Sequence, residues 1–302
     1  MFFSRVAILG VGLVGASFAR ALRERSFCKT ICGFGRSEEN LKRAKALRII
    51  DDYRMDAGKA SEDADLVVLA TPVGMFKDIG NAISSRLKKG TIVTDVGSVK
   101  GRLVYELESS VPEGTHYIGS HPIAGSERSG IDDARADLFS NARCIITPTE
   151  HSHAESLQAV SALWKGIGSK VEYMDPFRHD EIYAAVSHLP HIMAYALVNT
   201  VHAFDSACIE YAGPGFKDTT RIALSIPEIW RDITVLNRDN LIKLMKALKD
   251  NLDRLETMLA SGDAAGIEKE FSEARQLRMG LSGEERREHA EHSGPRNSAQ
   301  GI

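Results

Sequence analysis

Val6-Ala-Ile-Leu-Gly10-Val-Gly12-Leu-Val-Gly15 is the stretch that decides the fold. Apolar residues run directly into three glycines, and a helical pattern continues from there to Leu22. At this spacing the first glycine allows a tight strand-to-helix turn. The second lets backbone approach a pyrophosphate, and the third lets the helix pack closely on the strand. Phosphates bound there meet the helix N-terminus, where unpaired N–H groups and the helix dipole favour negative charge. Glycine-rich turns also arise for structural reasons alone, so the flanking strand and helix patterns give the triplet its weight. Gly10, Gly12, Leu13, Val14 and Gly15 are therefore candidate contacts to a dinucleotide.

Outward from this motif, short apolar runs alternate with helical patterns at Thr30–Phe34, Asp65–Ala70, Thr91–Val96, His116–Ser120 and Arg143–Thr147. Such alternation predicts an α/β fold of Rossmann type, a mostly parallel, doubly wound sheet with helices on both faces. A further strand at Lys170–Met174 closes the first domain, assigned to residues 1–174. From Asp175 the pattern changes to helical stretches, including Ile192–Phe204 and Leu241–Leu259, so residues 175–280 are expected to form an all-helical domain. Residues 281–302 are rich in Gly, Ser, Glu, Arg and His with few large apolar side chains, a composition that predicts disorder.

Two domains also suit a chain of 302 residues. Its 43% hydrophobic and 26% charged residues are ordinary globular values, and a net charge of −3 gives no reason to expect nucleic acid as a partner. Neither a signal-peptide pattern nor an apolar run long enough to cross a bilayer is present, so the chain reads as cytoplasmic with no membrane partner. Cys28, Cys32, Cys144 and Cys208 are too few and scattered for a disulfide scaffold and read as buried thiols. No metal site is expected.

In an open α/β sheet, ligands gather at the carboxyl ends of the strands. Thr71-Pro72, Gly97-Ser98 and His121-Pro122 all follow predicted strands. Ser98 has two compatible readings: a group facing the cofactor crevice, or a helix cap. His121 lies within Gly119-Ser-His121-Pro-Ile-Ala-Gly-Ser-Glu127, and that context favours chemistry over a loop histidine bonded to backbone. In Ser187-His188-Leu-Pro-His191, Pro190 predicts a helix first turn or a kink. This places His191 near polarised N–H groups suited to an anion, while His188 is taken as structural. In Gly213-Pro-Gly-Phe-Lys-Asp218-Thr-Thr-Arg221, the Arg221 guanidinium offers a planar fork to a carboxylate. Spacing alone favours a surface pair between Asp218 and Arg221.

Taken together, the glycine triplet, Asp95-Val-Gly-Ser98-Val-Lys-Gly, Ser120-His-Pro-Ile-Ala-Gly-Ser-Glu127, Ser187-His-Leu-Pro-His191, and Phe216-Lys-Asp-Thr-Thr-Arg221 with Trp230-Arg-Asp resemble the prephenate/arogenate dehydrogenase family. The likeness extends to about Met279. It implies a cofactor domain followed by a helical dimerisation domain, a homodimer, and oxidative decarboxylation of a cyclohexadienol with hydride transfer to NAD or NADP. By the same resemblance His121 accepts the proton of the ring hydroxyl and Ser98 shares its hydrogen-bond network. His191 recognises the substrate side chain, Arg221 holds a carboxylate, Glu127 lies at the pocket edge, and Trp230 forms a wall.

Prephenate, with its keto side chain, is favoured slightly over arogenate, with its amine. The end of the second predicted strand carries Phe34-Gly35-Arg36-Ser37 in place of an acidic residue. Arg36 and Ser37 suit a 2′-phosphate, but an arginine there also stacks on adenine, so the cofactor stands as NAD or NADP. Because the first strand opens the chain, no fused mutase is expected, and the tail is too short for a regulatory domain. A related dehydrogenase of 3-hydroxyacids and a non-catalytic dinucleotide sensor are the competing readings, since fold alone does not establish function.

Overall fold

A computed structural model describes residues 3–125 and 130–292, those from 282 onward as backbone only. Eight strands form one sheet: β1 (Phe3–Leu9), β2 (Cys28–Phe34), β3 (Asp52–Arg54), β4 (Leu66–Leu69), β5 (Ile92–Asp95), β6 (His116–Pro122), β7 (Arg143–Thr147) and β8 (Lys170–Tyr173). Their order is β3-β2-β1-β4-β5-β6-β7-β8. All neighbours run parallel except β6 and β7, which are antiparallel.

Between and after the strands lie α1 (Leu13–Glu24), α2 (Glu38–Ala46), α3 (Ala57–Ser61), α4 (Phe76–Ser84), α5 (Gly101–Ser110) and α6 (Ala154–Gly166). The later part of the chain is helical: α7 (Pro176–Tyr183), α8 (Leu189–Phe204), α9 (Pro214–Thr220), α10 (Pro227–Leu236), α11 (Arg238–Ser261) and α12 (Ala264–His292). No helix among the described residues is long and apolar enough to cross a membrane.

Alternation along β1 explains the double winding. Val6 and Ile8 enter one core with Phe18 of α1 and Trp164 of α6, whereas Ala7 and Leu9 enter the other with Phe76 and Ile79 of α4 and Leu103 of α5. Successive strand residues point to opposite faces, so an unbroken apolar strand requires cover on both. Phe18 lies 5.0 Å from Trp164 and 6.1 Å from Phe139 between ring centroids. Each such buried ring contributes about 2 to 3 kcal/mol, which fixes α1 and its N-terminus against the sheet.

Compactness divides the chain at Leu244 and Met245, well beyond the change of pattern at Asp175. The reason is that the first helices after the sheet bury polar as well as apolar groups: His179 and Asp180 of α7, His188, and Asn237 are all buried within the first unit. In the second unit, Arg254 of α11 pairs with Glu270 of α12 at 3.8 Å, while Leu259, Phe271 and Leu277 remain exposed. The backbone of α12 stays helical to His292, into the segment whose composition predicts disorder. Of the four free thiols, Cys32 and Cys144 are buried, but Cys28 and Cys208 are only half-buried because they lie at a strand start and in a short exposed turn.

Candidate active site

The three glycines of the opening motif differ in what surrounds them. Gly10 has φ +116°, and a Cβ there would lie 2.4 Å from the Ala70 carbonyl carbon. A Cβ on Gly15 would sit 2.0 Å from the Gly10 carbonyl oxygen, so turn and helix leave no room for a methyl group. Gly12 is the opposite case: among the described residues nothing beyond the adjoining backbone lies within 4 Å of its would-be Cβ, and it occupies the N-cap of α1 with no side-chain cap. Open space thus fronts a helix N-terminus whose N–H groups need an acceptor. Across from it, just after β4, the buried Thr71 hydroxyl also lacks a hydrogen-bond partner among the described residues. These features fit a dinucleotide pyrophosphate. Pro72 begins the short turn Val73–Met75 beside them. At the end of β2, Arg36 is exposed, and the Ser37 hydroxyl caps α2 by accepting the Asn40 N–H at 3.2 Å.

Two strands along the sheet, β6 outruns β5: register pairing stops at Thr94 and Ile118, leaving residues 119–122 paired only to β7. Asp95 fills the vacated edge. Its Oδ1 accepts the Ser120 N–H at 3.0 Å and the Tyr117 hydroxyl at 2.8 Å, and its Oδ2 accepts the Gly97 N–H at 2.8 Å and pairs with the Lys100 ammonium. Lys100 and Asp95 are both fully buried. The Asp95 carboxylate, satisfied by these four donors with the Lys100 ammonium among them, fixes the loop that carries Ser98. Ser98 does not cap α5, because the N-cap position is Lys100 and no side chain caps the helix.

His121, the penultimate residue of β6, is 8% exposed. Its Nδ1 lies 2.8 Å from Nε2 of His179, and Nδ1 of His179 lies 2.8 Å from Oδ1 of Asp180. The Tyr183 ring packs against both imidazoles, at 5.0 Å from His121 and 4.5 Å from His179. Burial holds the His121 pKa well below that of a free histidine, helped by His179, Lys100 and His188 nearby. Burial also lowers His179, with Lys100 acting the same way and Asp180 opposing. Both rings are therefore neutral near pH 7.

Helix α7 passes into α8 through a widened π turn, Ala184–His188, and Pro190 falls in the first turn of α8. The added residue in that turn accommodates proline's missing N–H without breaking the path. His188 is fully buried and takes a hydrogen bond from the Asn237 amide at 3.1 Å on Nδ1; among the described residues its Nε2 makes no well-formed bond, although the Ser98 carbonyl lies close. Burial first, then His179 and His191, pull its pKa down to about 4. His191 Nδ1 donates to the Ser187 carbonyl at 2.9 Å, and the ring stacks on Trp230 at 3.3 Å and 17°. Its pKa is lowered by burial and by nearby Arg221. Arg221 opens the exposed turn Arg221–Leu224 after α9.

The fold accordingly brings His121, His188 and Ser98 into one neighbourhood and His191, Trp230 and Arg221 into an adjoining one; the Trp230 ring, 6.1 Å from His188, joins them. Glu127 lies outside the described residues. Sequence reasoning missed His179, Asp180, Tyr183 and Asn237. The only hint was the adjacent His-Asp pair after a Pro at a helix start, which reads as an ordinary solvated first turn.

Comparison with known proteins gives a consistent picture. Residues 18–173 match the family profile described as prephenate dehydrogenase, nucleotide-binding domain, and residues 175–273 match prephenate dehydrogenase, dimerization domain. The chain is 34% identical to a cyclohexadienyl dehydrogenase of Zymomonas mobilis, over 92% of this chain and 96% of that protein. It is 32% identical to a prephenate dehydrogenase of Bacillus subtilis, over 91% and 76%. Among solved structures, a prephenate dehydrogenase from Aquifex aeolicus in complex with hydroxyphenyl propionate and NAD+ matches with a TM-score of 0.87 and 36% identity, covering 93% of this chain and 99% of that one.

Proposed function

Since the chain belongs to the prephenate dehydrogenase family, we propose that it oxidises and decarboxylates prephenate to 4-hydroxyphenylpyruvate, using NAD or NADP. The observation that carries this reading is a neutral, buried imidazole, His121, at the carboxyl end of a strand in a dinucleotide-binding sheet. A neutral imidazole takes up a proton, and in a site closed to bulk water its geometry is held in advance of the reaction.

Gly10, Gly12, Leu13, Val14 and Gly15 hold the pyrophosphate at the start of α1, with Thr71 and Pro72 on the facing edge and Arg36 and Ser37 near the adenosine ribose. When bound, the nicotinamide supplies the hydride acceptor. His121 removes the proton of the ring hydroxyl, and Ser98 orients that hydroxyl. Loss of hydride from the same carbon leaves a dienone, into which the electron pair of the departing carboxylate flows; aromatisation drives the step. Arg221 anchors a substrate carboxylate through its guanidinium, and His191, braced by Trp230 and the Ser187 carbonyl, faces the side chain.

The working form is a homodimer, supported by the dimerization-domain match and by Phe204, Tyr211 and Leu224, each more than three-quarters exposed on the single chain. Initial rates with prephenate and arogenate, each with NAD and with NADP, test the assignment. Turnover of prephenate that is lost in His121→Asn supports it; a protein that binds dinucleotide and converts neither compound refutes it.

A further inference from the structure

A base at His121 needs its lone pair on one particular ring nitrogen, and two buried residues outside the sequence motifs decide which. Asp180 is 5% exposed, and its Oδ1 both accepts the Lys100 backbone N–H at 2.8 Å and faces His179 Nδ1 at 2.8 Å. Opposite a carboxylate, Nδ1 of His179 carries a proton and donates it. A neutral imidazole has one N–H, so Nε2 of His179 is an acceptor. That Nε2 lies 2.8 Å from Nδ1 of His121, which must then be the protonated nitrogen of the second ring. The His121 lone pair is left on Nε2.

We propose that His179 and Asp180 are positioning residues for the reaction: they hold His121 in the tautomer whose Nε2 is the base, and they offset the charge that the imidazolium acquires. The proposal rests on the prephenate dehydrogenase reading of the site. In the step itself, the substrate O–H bond breaks and its proton joins Nε2 of His121. The O–H electron pair becomes the second C–O bond as hydride leaves that carbon for the nicotinamide. When the C–C bond to the carboxylate breaks, its pair enters the ring, carbon dioxide departs, and the phenol oxygen recovers the proton from Nε2. During the interval the positive charge on His121 is shared through Nδ1–H with His179 and balanced by Asp180. Lys100, also near His121, works against that charge, but its ammonium is already paired with Asp95. His188 opposes it as well, and Tyr183 only packs against the rings.

A purely structural role for Asp180 is a real competitor, because its Oδ1 also accepts the Lys100 backbone N–H at 2.8 Å and so ties down the loop that carries Ser98. Asp180→Asn separates the two. Both side-chain bonds of Asp180 fall on one oxygen, and asparagine's Oδ1 can accept both, so the fold is kept while the charge is removed. The expected result is a fall in kcat of about 10²-fold or more, with KM for prephenate and dinucleotide affinity within about threefold. The acid limb of kcat/KM also moves to lower pH, because an imidazolium without its countercharge is more acidic.

Nitrogen NMR of the histidine-labelled, ligand-free protein tests the tautomer without any turnover. His121 should carry its proton on Nδ1 in the wild type and lose that preference in His179→Phe, which keeps a ring but removes the acceptor. A wild-type proton on Nε2 overturns the proposal, as does an Asp180→Asn enzyme within about threefold of wild-type kcat and with an unchanged pH profile. Should Asp180→Asn fail to fold, the wild-type and His179→Phe spectra decide. If the wild type turns over neither prephenate nor arogenate, the functional reading falls, while the nitrogen spectra still decide the tautomer.

Discussion

Gly12→Ala and Gly15→Ala, three positions apart, should separate cofactor binding from folding. At Gly12 the backbone is at φ −98° and ψ −163°, a conformation open to alanine, and among the described residues nothing beyond the adjoining backbone lies within 4 Å of the new Cβ. The only intrinsic cost is a poorer N-cap, about 1 kcal/mol. If a pyrophosphate fills that open space, the methyl group overpacks it by about 1 to 3 kcal/mol, or about 5- to 150-fold in dinucleotide affinity. At Gly15 the Cβ would meet a backbone carbonyl at 2.0 Å, so α1 must retreat from β1 whether or not cofactor is present. A stability loss of about 3 kcal/mol is expected there. Calorimetric titration with NAD and NADP, alongside denaturant melts of the free proteins, reads both quantities. A Gly12→Ala protein that binds dinucleotide as tightly as wild type would refute the placement of the pyrophosphate.

Other substitutions probe the remaining contacts. Arg221→Ala should weaken prephenate by about 2 kcal/mol, roughly 30-fold in KM, and leave dinucleotide affinity unaltered; equal losses in both titrations would contradict the carboxylate assignment. Arg36→Ala should lower NADP affinity more than NAD affinity, and a constant ratio of the two dissociation constants would exclude a phosphate contact. Lys100→Met strands the buried Asp95 charge and should cost about 3 kcal/mol in a urea melt, whereas an unchanged midpoint would show that the Asp95 hydrogen bonds suffice alone. Because burial takes His188 from 6.5 to about 4, the unfolded chain binds more protons than the folded one between those values, and stability falls as pH drops through that window. From pH 7 to pH 5 this group alone removes about 2 kcal/mol, a loss that melts of His188→Gln should not display.

The sheet was legible where strands are buried on both faces, as in β1 and β5, which glycines punctuate, and in β4, which Thr71-Pro72 follows. It was not legible at β3, three half-exposed or exposed residues (Asp52, Tyr53, Arg54) that pair with β2 alone and carry no apolar run. The site divides in the same way. His121, His188 and His191 stand in motifs with glycine or proline and are visible as motifs. His179 is 58 positions from His121 along the chain, and its partnership exists only once α7 docks at the end of β6. Ser187-His-Leu-Pro-His191 posed a choice between a helix start and a kink. Pro190 does fall in the first turn of α8, and the π turn before it makes the path from α7 nearly continuous.

Asp180 explains why the helices after Asp175 matter to chemistry located in the sheet. Its side chain receives the Lys100 N–H just after Ser98 and faces the His179 ring that meets His121, while its carbonyl receives the Asn237 amide that also bonds His188. Loop, base and second histidine are thereby set from one residue of α7, and a shift of that helix moves all three together. Side chains held to a common anchor retain their mutual spacing when the anchor moves, but lose it when any one tie is cut. Substitutions at Asn237 should therefore disturb His188 more than His121, because the His121 chain through His179 does not pass through the amide, whereas substitutions at Asp180 act on His179 and His121 and leave its carbonyl bond to Asn237 in place.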